Sequence, residues 1–174
     1  MLYFEKGLRS VRERRGPAIL MQGKLCGNNV LCKRVRYPSV SIIVPVYNKE
    51  RKVSELIGSL FKSAAQYPNF CEILVVDDGS SDYTYEIAWA TIQKCRRKWP
   101  NIKGRVIKNS ASVGKSEVFR MGVDRAFGEL IIAINGEVLL KPNALKEIVK
   151  GYYVGDYERE TGKPVRVFQN PWLS

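Results

Sequence analysis

Hydrophobic residues along this chain alternate between short continuous runs and helically spaced patterns, and this alternation predicts its secondary structure. The runs Val40–Val46, 72–77 and Leu130–Ile134 are rich in β-branched residues, as expected of strands buried on both faces. The weaker run 103–108 predicts a fourth strand nearer an edge of the sheet. After each run, apolar residues recur at helical spacing and predict helices over residues 50–65, 82–98, 115–127 and 142–151.

Four strand-helix units in succession predict an α/β fold, with a mostly parallel sheet flanked by helices on both faces. In such sheets, ligands bind beyond the carboxyl ends of the strands. This rule selects four loops, and every chemically unusual cluster of the chain falls in one of them. The loops are 45–50, 77–82, 109–115 and 135–141.

The composition is that of an ordinary globular protein, with 45% hydrophobic and 26% charged residues in a chain of 174. This length suffices for one domain with a sizeable core. A boundary is predicted near residue 38, between a basic N-terminal arm (1–38) and the α/β domain (39–174). The arm has nine basic and two acidic residues, a net charge of +7, whereas the domain carries +5 of the total +12.

The arm combines this charge with apolar residues, which permits two interpretations: contact with an anionic membrane surface, or a solvated extension. No apolar run of the chain approaches the roughly 18 residues of a membrane span. We therefore expect a cytoplasmic protein, at the inner face of a membrane if the arm binds lipid. Nucleic acid is not an expected partner, because no interleaved aromatic pattern accompanies the charge. The apolar residues of the arm are Leu2, Tyr3, Phe4, Leu8 and Val11.

The absence of histidine removes Ser-His-Asp triads and most zinc sites from consideration. The four cysteines are Cys26, Cys32, Cys71 and Cys95, and no two of them form a CxxC pair. A disulfide between Cys26 and Cys32 is one interpretation. Scattered thiols of an intracellular protein are the favoured one.

Polar clusters in the first two loops permit either a nucleotide site or a structural role. Residues 77–82 read Asp-Asp-Gly-Ser-Ser-Asp, and the like charges of Asp77 and Asp78 require compensation. Such carboxylates can accept the N–H of a nucleobase and a ribose hydroxyl; alternatively, a side chain at 81 or 82 caps the next helix. In the first loop, Tyr47 can stack on a base, or Asn48 caps a helix.

Residues 109–116 (Asn-Ser-Ala-Ser-Val-Gly-Lys-Ser) are similar to the phosphate-binding P-loop, G-x-x-x-x-G-K-[ST]. Asn109 replaces the first glycine and lacks its φ freedom. A P-loop also normally follows the first strand of its domain, whereas this segment follows the third. We therefore favour a helix start at Gly114 and Lys115 that lies near the phosphates of a ligand.

Four segments together carry a family resemblance. They are 41–50 (SIIVPVYNKE), 72–82 (EILVVDDGSSD), 109–129 (NSASVGKSEVFRMGVDRAFGE) and 134–145 (INGEVLLKPNAL). The first two resemble the opening of glycosyltransferase family 2. The last two are similar to that family's Gly-Lys helix and to its Asp-x-Asp followed by a Pro-x-Ala-Leu helix start. The resemblance covers residues 39–150 and implies the GT-A fold, a Rossmann-like, mostly parallel sheet flanked by helices.

The resemblance also implies roles for individual residues. Pro45 and Tyr47 would line the base pocket, Asp77 or Asp78 would bind the base and ribose, and Lys115 would lie near the phosphates. Asn135 and Glu137 occupy the two metal-ligand positions of Asp-x-Asp. The full implied nucleotide-sugar site is Pro45, Tyr47, Asn48, Glu50, Asp77, Asp78, Gly114, Lys115 and Asn135.

The sequence departs from the family at residues 135–137, where Asn-Gly-Glu replaces Asp-x-Asp. The family's carboxylates hold Mg²⁺ or Mn²⁺, which neutralises the leaving diphosphate. A neutral amide oxygen at Asn135 should weaken cation binding. Three interpretations stay open: a weak metal site at Asn135 and Glu137, transfer without metal in which Lys115, Arg120 or Lys141 neutralises the leaving group, or a catalytically impaired domain.

The segment after Glu137 is shorter than the family's acceptor half, which usually supplies the catalytic base. It contains the acidic turn 155–160 (GDYERE), which is better interpreted as solvated than as catalytic. No catalytic base is identified from the sequence. The acceptor half is therefore expected to be short or missing, with a partner or self-association into a homo-oligomer completing the site.

The expected function is transfer of a sugar from a nucleoside diphosphate sugar to a glycan, lipid or protein acceptor. The expected donor is a UDP-sugar, and the expected transfer inverts the configuration of the anomeric carbon. The alternative is a catalytically impaired module that binds nucleotide sugars. A nucleotidyltransferase is a minor third interpretation, because such enzymes carry a glycine-rich loop after the first strand and residues 46–48 (VYN) do not form one.

Overall fold

A computed structural model describes residues 23–26, 30–33, 37–154 and 165–169 of the chain. The chain divides into two compact units, Met1–Arg36 and Tyr37–Ser174. In the first unit, strands β1 (Gly23–Cys26) and β2 (Val30–Lys33) pair in antiparallel orientation. The sequence did not predict this pair. The apolar residues 2–11 of the arm and the acidic turn 155–160 lie outside the described residues, as do the side chains of the first two cysteines.

The second unit contains the predicted alternation of strands and helices. Its strands are β3 (Val40–Val46), β4 (Cys71–Asp77), β5 (Ile102–Lys108), β6 (Leu130–Ile134) and β7 (Val165–Gln169). Its helices are α1 (Val53–Ala64), α2 (Thr84–Lys98), α3 (Lys115–Val123) and α4 (Ala144–Val154). No helix within the described ranges is long and apolar enough to cross a membrane.

The five strands form one sheet in the order β5-β4-β3-β6-β7. The first four are parallel, which confirms the predicted mostly parallel α/β sheet. The fifth strand, β7, was not predicted. It pairs with β6 in antiparallel orientation, from Leu130 opposite Gln169 to Ile134 opposite Val165.

The helices cover both faces of the sheet, as predicted. On one face, Ile42 and Val44 of β3 belong to a core cluster that includes residues of α1, α2 and α4. On the other face, Ile43 and Leu74 contact Val118 of α3 in a second cluster. Alternate residues of the same strand therefore serve two cores, which explains why the strand sequences are continuously hydrophobic.

The start of α1 and the end of α3 differ from the prediction because turns intervene. Helix α1 begins at Val53 rather than at residue 50, since the carbonyl of Lys49 accepts hydrogen bonds from the N–H groups of both Lys52 and Val53. Helix α3 ends at Val123 rather than at residue 127. The chain then turns into Gly128, where a Cβ atom would lie 2.4 Å from the backbone nitrogen of residue 41. The helix ends before that point because the N–H groups of Arg125 and Ala126 bond to carbonyls three residues back, at 3.2 and 3.1 Å, as in turns.

A buried carboxylate, Glu72, holds the amino end of the sheet together. Its side chain is 0% exposed and accepts hydrogen bonds from Ser41 Oγ (2.9 Å), Arg105 Nη2 (2.7 Å) and the N–H of Phe127 (3.0 Å). Ser41 in turn accepts the N–H of Gly128 (2.8 Å). This network links β3, β4, β5 and the turn before β6 at the edge opposite the four predicted ligand-binding loops.

Candidate active site

The order of the strands places a topological switch point between β3 and β6. From β3 the chain proceeds outward through β4 and β5, and then returns to the other side of β3 at β6. Ligands of open α/β sheets bind at such a point, beyond the carboxyl ends of the strands. Loops 45–50 and 135–141 leave the sheet there, and loops 77–82 and 109–115 flank them.

Asn48 joins the loops after β3 and β4. Its φ of +48° lies in the left-handed region, which Asn tolerates better than most residues. Its N–H donates to Ser80 Oγ (2.9 Å), and its Oδ1 accepts the N–H of Ser81 (3.0 Å). The side chain therefore fixes one loop against the other, and the described contacts give it no capping role on α1.

The same two loops are joined again by Glu50 and Asp82. The N–H of Glu50 donates to Asp82 Oδ2 (3.2 Å), and Glu50 Oε2 accepts the N–H of Tyr83 (3.3 Å). Asp82 also accepts the N–H of Thr84, the first residue of α2 (3.0 Å), so it satisfies a helix N-terminus. Burial disfavours the Asp82 charge, but the hydrogen bonds from Thr84 and Glu50 outweigh it and lower the pKa of this carboxyl.

Asp77 is fully buried and shapes the turn that follows β4. Its carboxylate accepts both the N–H (3.4 Å) and the hydroxyl of Ser80. Gly79, with φ of +71°, lies in the turn between Asp77 and Ser80. A Cβ atom on this residue would come within 2.7 Å of the backbone carbonyl carbon of Ala111. Only glycine fits a turn with both this φ and this contact.

Asp78 is surrounded by the loop after β5. Its Oδ1 accepts Asn109 Nδ2 (3.3 Å) and the N–H of Val113 (2.9 Å), and its Oδ2 accepts Ser112 Oγ (2.7 Å) and the N–H of Gly114 (3.2 Å). Burial opposes the charge, yet these four donors together lower the pKa of the Asp78 carboxyl. The N–H groups that a P-loop would direct at phosphate are thus directed at a carboxylate of the chain itself, so the P-loop interpretation is wrong.

The Asn-Gly-Glu segment forms a tight turn directly beside the end of β3. The N–H of Val138 donates to the carbonyl of Asn135 (3.0 Å) and closes the turn. A Cβ atom on Gly136 would lie 2.7 Å from the carbonyl oxygen of Pro45. The glycine therefore permits the close approach that brings residues 135 and 137 to the switch point.

Glu137 forms an ion pair across the switch point with Lys49. The distance between Lys49 Nζ and Glu137 Oε1 is 2.8 Å, and the Glu137 side chain is 62% exposed. This hydrogen bond and the charge of Lys49 lower the pKa of Glu137, with smaller contributions from the charges of Lys52 and Lys115. Sequence reasoning missed the pair, although the sheet rule brings loops 45–50 and 135–141 together.

The donor atoms near this turn do not fit a divalent cation. Asn135 offers a neutral amide oxygen, and Glu137, the one carboxylate of the motif, is already paired with a lysine. Within the described part of the chain, no group of three or more His, Cys, Asp or Glu side chains could hold a metal ion. Hard cations prefer several anionic oxygens, and the positive charges of Lys49, Lys52 and Lys115 further oppose cation binding.

The remaining predicted residues differ in how exposed they are. Tyr47 is 49% exposed, and Gly114 and Lys115 are exposed at the start of α3. Lys141 is exposed as well. Arg120, by contrast, is paired on its own helix with two acidic residues, Glu117 and Asp124.

The sheet order and the helices on both faces are those of an α/β domain of GT-A type. The model of the family Glycosyl transferase family 2 matches residues 41–173, and the chain belongs to this family. It is 28% identical over 113 residues to the dodecaprenyl-phosphate galacturonate synthase of Rhizobium johnstonii, a match covering 63% of this chain and 31% of that relative.

Solved structures of related enzymes share the fold. TarS of S. aureus in complex with UDP is 30% identical, with a TM-score of 0.53 over 64% of this chain and 31% of that one. A mannosyltransferase of Pyrobaculum calidifontis, in complex with GDP-Man and Mn²⁺, has a TM-score of 0.56 at 21% identity, over 70% of this chain and 33% of that one. The chain spans about a third or less of the length of the curated relatives it matches.

Proposed function

We propose that this domain binds a nucleoside diphosphate sugar at the carboxyl edge of its sheet and that the protein transfers the sugar to an acceptor. The observation that carries the proposal is the convergence of four family segments at the switch point. The Asp-Asp-Gly-Ser turn follows β4 and the Asn-Gly-Glu turn follows β6, the two strands that flank β3, and exposed Tyr47 and partly exposed Lys49 lie in the loop after β3. UDP is the proposed nucleotide, supported by its presence in the related TarS structure.

In this proposal, the base stacks on Tyr47 beside Pro45, at the end of β3. Asn48 and Glu50 hold that loop through their bonds to residues 80–83. Asp78 contacts the base or ribose by exchanging one of the four donors that it now accepts. Lys115, the first residue of α3, faces the phosphates, since the N-terminus of a helix favours negative charge, while the preceding Gly114 keeps its N–H on Asp78.

The proposed reaction is a single displacement at the anomeric carbon, which inverts its configuration. The acceptor oxygen forms a new bond to this carbon while the bond to the diphosphate oxygen breaks. An acceptor hydroxyl would pass its proton to a carboxylate base, whereas an acceptor phosphate attacks through an oxygen that is already ionised; in both cases the nucleoside diphosphate leaves with the electron pair. Basic groups at the carboxyl edge stabilise the charge that develops on the diphosphate.

A lipid phosphate is the proposed acceptor. The galacturonate synthase that this chain resembles is named for dodecaprenyl phosphate, which supports an acceptor held at a membrane. The cytoplasmic face of that membrane is the proposed location, because nucleotide sugars would reach the domain there. Self-association is a further prediction, which sedimentation velocity would test.

A thermal-shift panel tests donor binding directly. UDP-, GDP-, ADP- and CDP-sugars are each added with and without Mn²⁺, because a ligand of the folded state stabilises it by about 2.7 kcal/mol at 100 times its Kd. UDP-sugars should raise the midpoint, and Tyr47→Ala should weaken the effect. Trp89→Ala, at a residue on α2 of similar exposure (53%), is the control and should leave it unchanged.

Two outcomes would contradict the proposal. If no nucleotide sugar raises the midpoint under any condition, donor binding is refuted. If UDP-sugars bind but release no free UDP, with or without a polyprenyl phosphate acceptor, the domain binds donors without catalysing transfer.

A further inference from the structure

The carboxylate at the second metal-ligand position, Glu137, is paired with one lysine and feels the charges of two more. Lys49 is in hydrogen-bond contact with Glu137, with Nζ 2.8 Å from Oε1. Lys52 lies in the turn before α1, and Lys115 is the first residue of α3. The positive charges of both act on Glu137 as well. The three lysines and one carboxylate carry a net charge of +2, the charge of a divalent cation.

The ion pair also determines what Glu137 can do. A carboxylate that is bonded to an ammonium group at 2.8 Å is not available as a metal ligand unless that contact breaks. The other ligand position holds the uncharged Asn135. Lysine ammonium groups, in contrast, are well suited to bind phosphate oxygens as point charges.

We propose that Lys49, Lys52 and Lys115 bind the diphosphate of the donor without a divalent cation, and that Glu137 positions Lys49 for this contact. The inference rests on the proposed function, because it concerns the same site. Lys49 and Lys52 are new in this role. Both belong to the turn that delays the start of α1 to Val53, and Lys49 reaches Glu137 from this turn.

Calorimetric titrations of the full chain with UDP and with UMP separate the diphosphate contact from the base contact. In EDTA and in Mn²⁺, the Kd of UDP should agree within twofold. Lys49→Gln and Lys115→Gln should each raise the Kd of UDP at least fivefold and change the Kd of UMP less than twofold. Lys49→Arg should retain most of the affinity for UDP. Lys62→Gln, at an exposed lysine in the last turn of α1, is the matched control and should change neither.

A gain-of-function variant tests the same inference from the opposite direction. In the double variant Asn135→Asp with Lys49→Ala, two carboxylates face the site and the paired lysine is gone, so Mn²⁺ should strengthen UDP binding at least tenfold. The inference is overturned if the unaltered protein binds UDP only with Mn²⁺, or if Lys49→Gln leaves the Kd of UDP unchanged. Absence of both UDP and UMP binding in both buffers would instead refute the proposed function itself, and this inference with it.

Discussion

Replacing Asp78 with Asn tests whether this carboxylate organises the loop after β5. Each of its two carboxylate oxygens accepts two hydrogen bonds in the structure. An Asn side chain offers a single acceptor oxygen, which can keep the bonds from Asn109 and Val113. Its NH₂ group would then face the N–H of Gly114, a donor that would lose its partner, while the Ser112 hydroxyl can rotate to accept.

The expected cost follows from these contacts. Hydrogen bonds to a charged group contribute about 1.5–3 kcal/mol, and those to a neutral group about 1 kcal/mol. One charged bond is lost at Gly114 and the other three become bonds to a neutral group, so Asp78→Asn should lower the free energy of unfolding by at least about 3 kcal/mol. The pKa of Asp78 is lowered in the folded state. Its stabilisation is therefore present above the unfolded pKa of about 3.9 and disappears as the pH falls through the folded value.

Urea unfolding at pH 7 and pH 3 measures both effects. The difference between the unaltered protein and Asp78→Asn should be largest at pH 7 and should shrink at pH 3. Asp124→Asn is the control, because Asp124 pairs with Arg120 at the surface and should contribute less than about 0.5 kcal/mol. Equal stability of Asp78→Asn and the unaltered protein at pH 7 would refute the reasoning, since the four bonds would then contribute nothing.

Three further predictions concern stability and reactivity. Glu72→Gln should lower the free energy of unfolding by about 3 kcal/mol, because it breaks a buried ion pair with Arg105. Gly136→Ala should lower it by about 1–3 kcal/mol and weaken UDP binding, because its Cβ would lie 2.7 Å from the carbonyl oxygen of Pro45. Cys71 should resist alkylation in the native protein, because burial and then the charge of Glu72 raise the pKa of its thiol to about 12. Stability should consequently fall as the pH rises above about 9, where only the unfolded thiol ionises.

Each of these predictions has a matched control. Glu86→Gln, at an exposed carboxylate 3.7 Å from Lys108, should change stability little, and an equal loss in both glutamate variants would contradict the buried-pair argument. Gly58→Ala, where the new Cβ would meet no atom within 4 Å beyond the backbone of its own helix, should stabilise α1 by about 0.5–1 kcal/mol. If Gly136→Ala is as stable as Gly58→Ala, the close contact between residue 136 and the carbonyl oxygen of Pro45 is contradicted. Peptide mass mapping measures how fast iodoacetamide alkylates Cys71 in the native and the urea-unfolded protein. Equal rates in the two states would rule out the burial of this thiol.

Local patterns predicted most of the fold. The β-branched runs predicted strands Val40–Val46 and Leu130–Ile134 with the bounds that the structure has. Both faces of these strands are buried, so their sequences are almost continuously hydrophobic and their ends are easy to locate. Strand β7 was missed, since its pairing with β6 joins positions distant in sequence. The predicted helix start at 50 and helix end at 127 were wrong because hydrogen-bonded turns, rather than periodicity, determine them.

The position of the candidate site was predictable, whereas its internal contacts were not. The sheet rule alone placed four loops at one edge. The partners across that edge depend on side-chain reach between segments far apart in sequence, such as Lys49 and Glu137, which are 88 positions apart. The resemblance to the family suggested that Asp78 binds a ligand, but sequence reasoning did not predict that the loop around Val113 already saturates its carboxylate.

Amide chemical-shift mapping with UDP tests most directly whether the carboxyl edge of the sheet is the nucleotide site. UDP is titrated into ¹⁵N-labelled protein in EDTA, and the amide resonances are followed. The largest shifts should fall in loops 45–50, 77–82, 109–115 and 135–141. Shifts confined to the opposite edge, around Glu72 and Gly128, or no shifts at saturating UDP, would contradict the account.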